Sequence, residues 1–237
     1  MYTVIRPANH YPSRLAEFGP DAPVVKLVTP RLSPSRIGEY LVMLPAGGGT
    51  PQPVPASGLE TLLYGLRGAA AVAAAGADLA LGAGAYAYLP PGAAWTVRAG
   101  AQPATFLAIR RAYESWGDLP APAMRSGHRD DEPFARTAVP GFRRRELLPV
   151  DDPAFDCAMS LLAFDPGVGL DKIEVHDEEH GLYMTAGQGI YTLGAERHEV
   201  RADDFVYMAP YCPQGFDATG DGVAEYLLYK DAWRDGF

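Results

Sequence analysis

The chain repeats itself at an offset of 119 residues, and that repeat limits its folds more than any local pattern does. The offset places Gly68 on Gly187, Tyr88 on Tyr207, Pro91 on Pro210 and Trp95 on Gln214, and it lays the stretch around Tyr40–Met43 over Met159–Leu162. Two copies of one unit, roughly 110 to 120 residues each, can each bury a core without a metal or disulfide staple. The unit reads as strands and turns. Aromatic, aliphatic and β-branched residues recur between turn formers over Glu39–Leu44, Ala85–Leu89 and Asp204–Met208, and no segment carries a helical repeat. The run Ala69–Ala77 has a helix-forming composition, but Gly68, Gly76, Gly82 and Gly84 punctuate it every few residues and favour short strands. The expected organisation is a first unit over residues 1–112, a polar Pro- and Gly-rich linker over 113–136, and a second unit over 137–237.

Composition narrows the partners. A formal net charge of -9 lacks the basic footprint that nucleic acid or an anionic membrane surface requires, so a small-molecule partner is expected. The apolar fraction of 48% is too high for a disordered chain, and 26 Gly with 22 Pro suit many short strands joined by turns. Cys157 and Cys212 have neither metal-finger nor CxxC spacing and read as buried free thiols. The opening MYTVIRPANHYPSR has no basic segment followed by an apolar run, and no stretch approaches 18 apolar residues, so a cytoplasmic protein is expected. Sheet edges and apolar faces in a small double barrel predict a homo-oligomer.

Each copy resembles the cupin fold through two motifs, roughly G-x5-H-x-H-x3-4-E-x6-G and G-x5-P-x-G-x2-H. The first copy carries the second motif as Gly84-x5-Pro90-x-Gly92-x2-Trp95, with Trp in place of the last His. The second copy carries the first motif as Glu174-x-His176-x3-His180-x6-Gly187. The fold class expected is therefore all-β, a bicupin of two tandem double-stranded β-helix (jelly-roll) barrels. Residues two apart on a strand share a face, so Glu174 and His176 point into the barrel, with His180 in phase and Gln214 supplied by the second motif. Alone, the HDEEH run reads as a solvated charge cluster; the repeat puts Glu174, His176, His180 and Gln214 where cupins carry ligands. Two imidazoles and two oxygens suit a borderline to hard divalent ion, Mn2+ or Fe2+ ahead of Zn2+. The aligned residues of the first copy, Pro55, Ser57, Thr61 and Trp95, hold no metal, and Trp95 fills the lost site. His10, His128 and His198 lie in turn-like or polar stretches and read as surface residues.

The runs EVHDEEHGLYMTAGQGIYTLG, MAPYCPQGF and EYLLYKDAWRD, with LETLLYGLRG and YLPPG in the first copy, are similar to the (S)-ureidoglycine aminohydrolase family of purine and allantoin catabolism. The resemblance covers essentially the whole chain. It implies a hydrolase that uses one Mn2+ per chain to release ammonia from (S)-ureidoglycine and leave (S)-ureidoglycolate. It also implies that Tyr226 and Lys230 line the pocket, Lys230 as a point charge for the substrate carboxylate. Tyr191 is then a hydrogen-bond partner for the ureido group, and Glu174 both a ligand and a base or acceptor. The parity of Glu178 turns it inward as well, with no role assigned. Two rival readings remain: an iron-dependent dioxygenase, since two His and a carboxylate also form a facial triad, and a small-molecule-binding bicupin without turnover.

Overall fold

The computed structural model describes residues 1–131, 133–149 and 151–232. Among them the regular structure is strand, apart from two 3-10 turns at Pro7–Asn9 and Ala16–Phe18, and no helix is long and apolar enough to cross a membrane. The Ala-rich stretch forms the hairpin strands Ala69–Ala74 and Ala77–Gly82, as the glycines predict. Cys157 and Cys212 are buried and are not joined by a disulfide.

The chain forms two compact units, one of Tyr11–Asp131 and one of Met1–His10 with Glu132–Phe237. Each unit pairs a seven-stranded antiparallel sheet with a three-stranded one. In the second unit the large sheet runs Tyr2–Ile5, Phe205–Met208, His180–Ala186, Ala224–Asp231, Cys157–Phe164, Phe142–Glu146 and Ala135–Arg136. Its small sheet is Glu196–Arg201, Gln188–Leu193 and Gln214–Ala218. Leu162, Phe164, Leu182, Met184, Val206, Phe216 and Tyr226 meet in the core between the two sheets. Alternate residues of both sheets face that core, as in a barrel closed by two sheets, while Cys157–Phe164 and Phe205–Met208 in the large sheet are buried on both faces.

These boundaries differ from those read in the sequence. Tyr2–Ile5 belongs to the second unit, where it lies antiparallel to Phe205–Met208, and Tyr2 and Val4 pack on that unit's core. Covering Phe205–Met208 removes an otherwise unpaired edge. The stretch expected as linker is shared out: Arg125–His128 pairs with Ala85–Leu89 in the first unit, and Ala135–Arg136 pairs with Arg143–Arg144 in the second. Glu132 of that stretch, and the Trp233–Asp235 end of the EYLLYKDAWRD run, lie outside the described residues.

Strand register refines the repeat. Thr61 pairs with Leu89 as His180 pairs with Met208, which keeps the offset at 119. Thr61 also pairs with Arg110 where His180 pairs with Lys230, and Leu44 pairs with Ala104 where Phe164 pairs with Ala224, so these strands run at 120. Tyr40–Met43 therefore lies over Ser160–Ala163 rather than Met159–Leu162. The second unit has one residue fewer between Glu174 and Glu179 than the first has between Val54 and Glu60, and one more in the turn before Ala224. Loops absorb such a change, whereas a one-residue slip within a strand would turn its core face outward. The repeated Gly68 and Gly187 have a backbone reason. Their φ values are 68° and 71°, and a Cβ would lie 2.0 Å from Pro103 O and 2.5 Å from Val223 O.

Candidate metal centre

The second barrel holds a cavity of about 310 Å3 whose polar wall is Glu174, His176, Glu178, His180, Gln214 and Lys230. Two strand starts supply part of it: His180 opens His180–Ala186 opposite Lys230, and Gln214 opens Gln214–Ala218 opposite Leu193. The segment before His180 is held extended by main-chain bonds. Glu174 N–H donates to Gln214 O at 2.8 Å, Gln214 N–H returns to Glu174 O at 3.0 Å, and Tyr211 N–H donates to His176 O at 2.7 Å. That extension preserves the alternation expected of a strand. Glu174, His176, Glu178 and His180 line the cavity while Ile173 and Val175 are exposed. Glu179 is buried out of phase with them, where it accepts from Tyr207 Oη at 2.9 Å. Glu60 and Tyr88 make the same 2.9 Å bond in the first unit, which marks Glu179 as part of the repeated scaffold.

The ligand-type groups converge. Gln214 Nε2 lies 2.7 Å from His176 Nε2 and 3.4 Å from His180 Nδ1, and the two imidazoles stand 4.5 Å apart between centroids. Tyr191 Oη donates to Gln214 Oε1 at 3.5 Å. One donor atom each from His176, Glu178 and His180 falls within 4.8 Å of the others. His180 Nε2 is buried without a hydrogen-bond partner, a situation that costs about 1–3 kcal/mol and that a bound cation would relieve. The donors therefore fit a divalent ion. Glu174 stands on the cavity wall with its main chain locked to Gln214, and the carboxylate drawn closest to the histidines is that of Glu178.

Glu178 is the residue whose role the sequence left open. Its Oε1 accepts from Lys230 Nζ at 2.7 Å, and its Oε2 lies 2.8 Å from His176 Nδ1. The second contact is an ion pair lying off the N–H axis, since Nδ1 has no aligned hydrogen bond. The imidazole first and Lys230 second hold the Glu178 carboxyl well below the usual carboxylate range, and Glu178 in turn raises His176. Burial, and next the neighbouring His176, push His180 down to about 3. Burial also raises Tyr191 and Tyr226, so both phenols stay protonated hydrogen-bond donors at neutral pH.

Tyr226, Leu228 and Lys230 all line the cavity, as their shared strand face predicts. Thr137, Phe142, Arg144, Leu162 and Leu170 line it as well. No local signal pointed to these: Phe142, Arg144 and Leu162 reach the site through pairing of Phe142–Glu146 with Cys157–Phe164, Thr137 through its N–H bond to Phe142 O, and Leu170 through its N–H bond to Phe216 O. In the first unit the matching space has shrunk to about 30 Å3, room for roughly one water. Trp95 fills it, 3% exposed, and Arg110, the counterpart of Lys230, sits 5.5 Å above the Trp95 ring and contacts Glu17. Trp95 pairs with Val54 as Gln214 pairs with Glu174, so Val54, not Pro55, stands in the place of Glu174. Two histidines expected at the surface are partly buried: His10, whose Nε2 is enclosed, and His198, whose ring stands edge-on to Tyr2 at 5.2 Å. His128 keeps an exposed side chain.

Two cupin barrels in tandem, the second with the His176, Glu178 and His180 donors gathered at its cavity, define a bicupin with a candidate metal centre in the second barrel. The cupin domain model matches residues 160–229. The chain is 34% identical to the (S)-ureidoglycine aminohydrolase of Escherichia coli over 212 residues, 88% of this chain and 80% of that protein. It is also 34% identical to the Arabidopsis thaliana (S)-ureidoglycine aminohydrolase over 183 residues, 77% of this chain but 60% of the plant protein's length. A solved glyoxylate-induced protein from Pseudomonas aeruginosa superposes with a TM-score of 0.90 at 28% identity, over 100% of this chain and 91% of that one. The chain belongs to the (S)-ureidoglycine aminohydrolase family.

Proposed function

We propose that this chain hydrolyses (S)-ureidoglycine to (S)-ureidoglycolate and ammonia, in the cytosol, with one Mn2+ held by Glu174, His176, His180 and Gln214. The observation that carries the reading is the second-barrel cavity, which sets a histidine, glutamine and carboxylate cluster beside Lys230 in a member of this family. Two buried cysteines outside any disulfide suit a reducing compartment. In the reaction a water oxygen bonds to the aminal carbon, the carbon–amine bond breaks, and the amine leaves with the water's proton as ammonia. The substrate is an aminal, so bond breaking is intrinsically easy; the protein must hold one enantiomer and admit water to one face. A bound divalent ion supplies an electrophilic anchor and lowers the pKa of a bound water.

The chain's own groups divide the remaining work. Lys230 presents its ammonium to the substrate carboxylate as a point charge. Tyr226, kept protonated by burial, donates to the ureido oxygen, and Tyr191, whose proton goes to Gln214 Oε1, accepts from a ureido N–H. Glu174 takes the proton released by the attacking water and passes it to the leaving amine. The test generates ureidoglycine in place from allantoate, because the compound decomposes unaided, and follows ammonia together with the chirality of the ureidoglycolate. Ammonia release no faster than background, or a racemic product, would overturn the proposal, and oxygen uptake would favour the dioxygenase chemistry. Lys230→Met should raise KM while bound metal stays near its normal level.

Assembly into a homo-oligomer belongs to the same reading. Tyr11, Ile173, Val175 and Tyr211 are large apolar side chains left 83%, 52%, 57% and 68% exposed, and association is an economical way to cover such surface. A monomer by light scattering at micromolar concentration contradicts it.

A further inference from the structure

Glu178 has two partners of different kinds. One of its oxygens is 2.7 Å from Lys230 Nζ, and the other is 2.8 Å from Nδ1 of His176. All three side chains are largely screened from water, at 16% exposure for Glu178, 25% for His176 and 27% for Lys230. The far nitrogen of His176, Nε2, faces Gln214 and is the one turned to the donor cluster. A carboxylate behind the non-ligating nitrogen of a histidine fixes the ring's tautomer and aim, and it strengthens the other nitrogen as a donor. Glu178 stands in that position and binds the Lys230 ammonium with its second oxygen.

We propose that Glu178 is a positioning residue that joins the metal site to the anion site: it accepts the Nδ1 proton of His176, leaving Nε2 for the ion, and it moors the Lys230 ammonium at the cavity wall. A small turn of the imidazole aligns Nδ1–H with Oε2, where the present contact is off the N–H axis. The name of the reaction rests on the function proposed above, but the tie between the two sites does not. Glu178 is distinct from Glu179, one residue on, whose buried bond to Tyr207 belongs to the scaffold. It also has no counterpart in the first barrel, where Arg110 lies over Trp95 and contacts Glu17 instead.

The test is a titration of metal-stripped protein with Mn2+, reading free Mn2+ by electron paramagnetic resonance, for wild type, Glu178→Gln, Lys230→Met and His176→Ala. Glu178→Gln conserves volume and loses the charge. Its Kd for Mn2+ should rise about 10- to 100-fold, the usual cost of removing a metal ligand's hydrogen-bond partner. Lys230→Met should leave Kd within about threefold of wild type, because the carboxylate still stands behind His176. In metal-saturated protein Glu178→Gln should also raise KM, since Lys230 loses its mooring, and Glu178→Gln with Lys230→Met should raise KM no further than Lys230→Met alone. A Mn2+ Kd unchanged within twofold in Glu178→Gln overturns the proposal. Loss of Mn2+ as complete as in His176→Ala also overturns it, because Glu178 would then be a ligand itself. If Glu178→Gln unfolds, Glu178→Ala and Glu178→Ser are titrated in its place against the same limits. A shifted Kd in a protein that does not turn over ureidoglycine removes the function proposed above and leaves the positioning role standing.

Discussion

His176→Ala should leave the protein folded and nearly free of metal. The imidazole is a quarter exposed, so its removal opens little buried space, while the donor set loses one of its two nitrogens. Elemental analysis of wild-type protein purified without added metal should find about one Mn or Fe per chain, and the variant should fall towards none. A wild-type value near two would contradict a first barrel closed by Trp95. The same measurement has a pH signature. Metal binding needs neutral imidazoles, and His180, pushed down to about 3, is already neutral in any ordinary buffer. Glu178 raises His176, so the proton competes with the metal there first. Affinity should therefore weaken as pH falls through neutrality, approaching about tenfold per pH unit once His176 is protonated, as expected for one competing proton. A flat profile from pH 7 to pH 5 would remove His176 from the ligand set.

Glu174→Gln should lower turnover by about two orders of magnitude or more, the usual scale for a lost general acid or base, with a charged ligand removed at the same time. The structure makes this substitution unusually clean. Glu174 contributes to the fold through main-chain atoms, its N–H and C=O both bonded to Gln214, and these bonds survive any change of side chain. Circular dichroism and thermal midpoint should stay close to wild type while kcat falls. The assay is run with Mn2+ in excess, so that weakened binding is compensated and the remaining loss reports on chemistry. Turnover within tenfold of wild type under those conditions would assign the proton transfer elsewhere, and Glu178 is then the carboxylate to examine.

The candidate site was legible in the sequence to the extent that it obeys short periods. Glu174, His176 and His180 were placed on one face by spacing alone, and the chain keeps that spacing even where it is not a regular strand, because two main-chain bridges hold it extended. The repeat added Gln214 and put Trp95 in its place in the first barrel. Glu178 was in phase too, but parity could not say that its carboxylate would bind Lys230, a residue 52 positions away on another strand. Nor could a pairwise offset of 119 hold throughout: one residue lost before Glu179 and one gained before Ala224 leave the strands outside that interval at 120, and only hydrogen-bond register exposes that shift.

The sequence by itself determined the β class, the doubling, the Trp95 that fills the first barrel and the segment that lines the second barrel's cavity, because turn glycines, strand alternation and a repeated unit are all local or periodic signals. Tertiary structure alone decided that Tyr2–Ile5 is a strand of the second unit and that part of the expected linker is sheet. It also decided that Thr137, Phe142 and Arg144 wall the cavity, and that Glu178 stands between His176 and Lys230. The physical reason is common to these cases. Strand pairing joins residues tens to hundreds of positions apart through backbone hydrogen bonds, which every sequence can make, so the choice of partner is set by packing of the whole core and not by the residues of either strand.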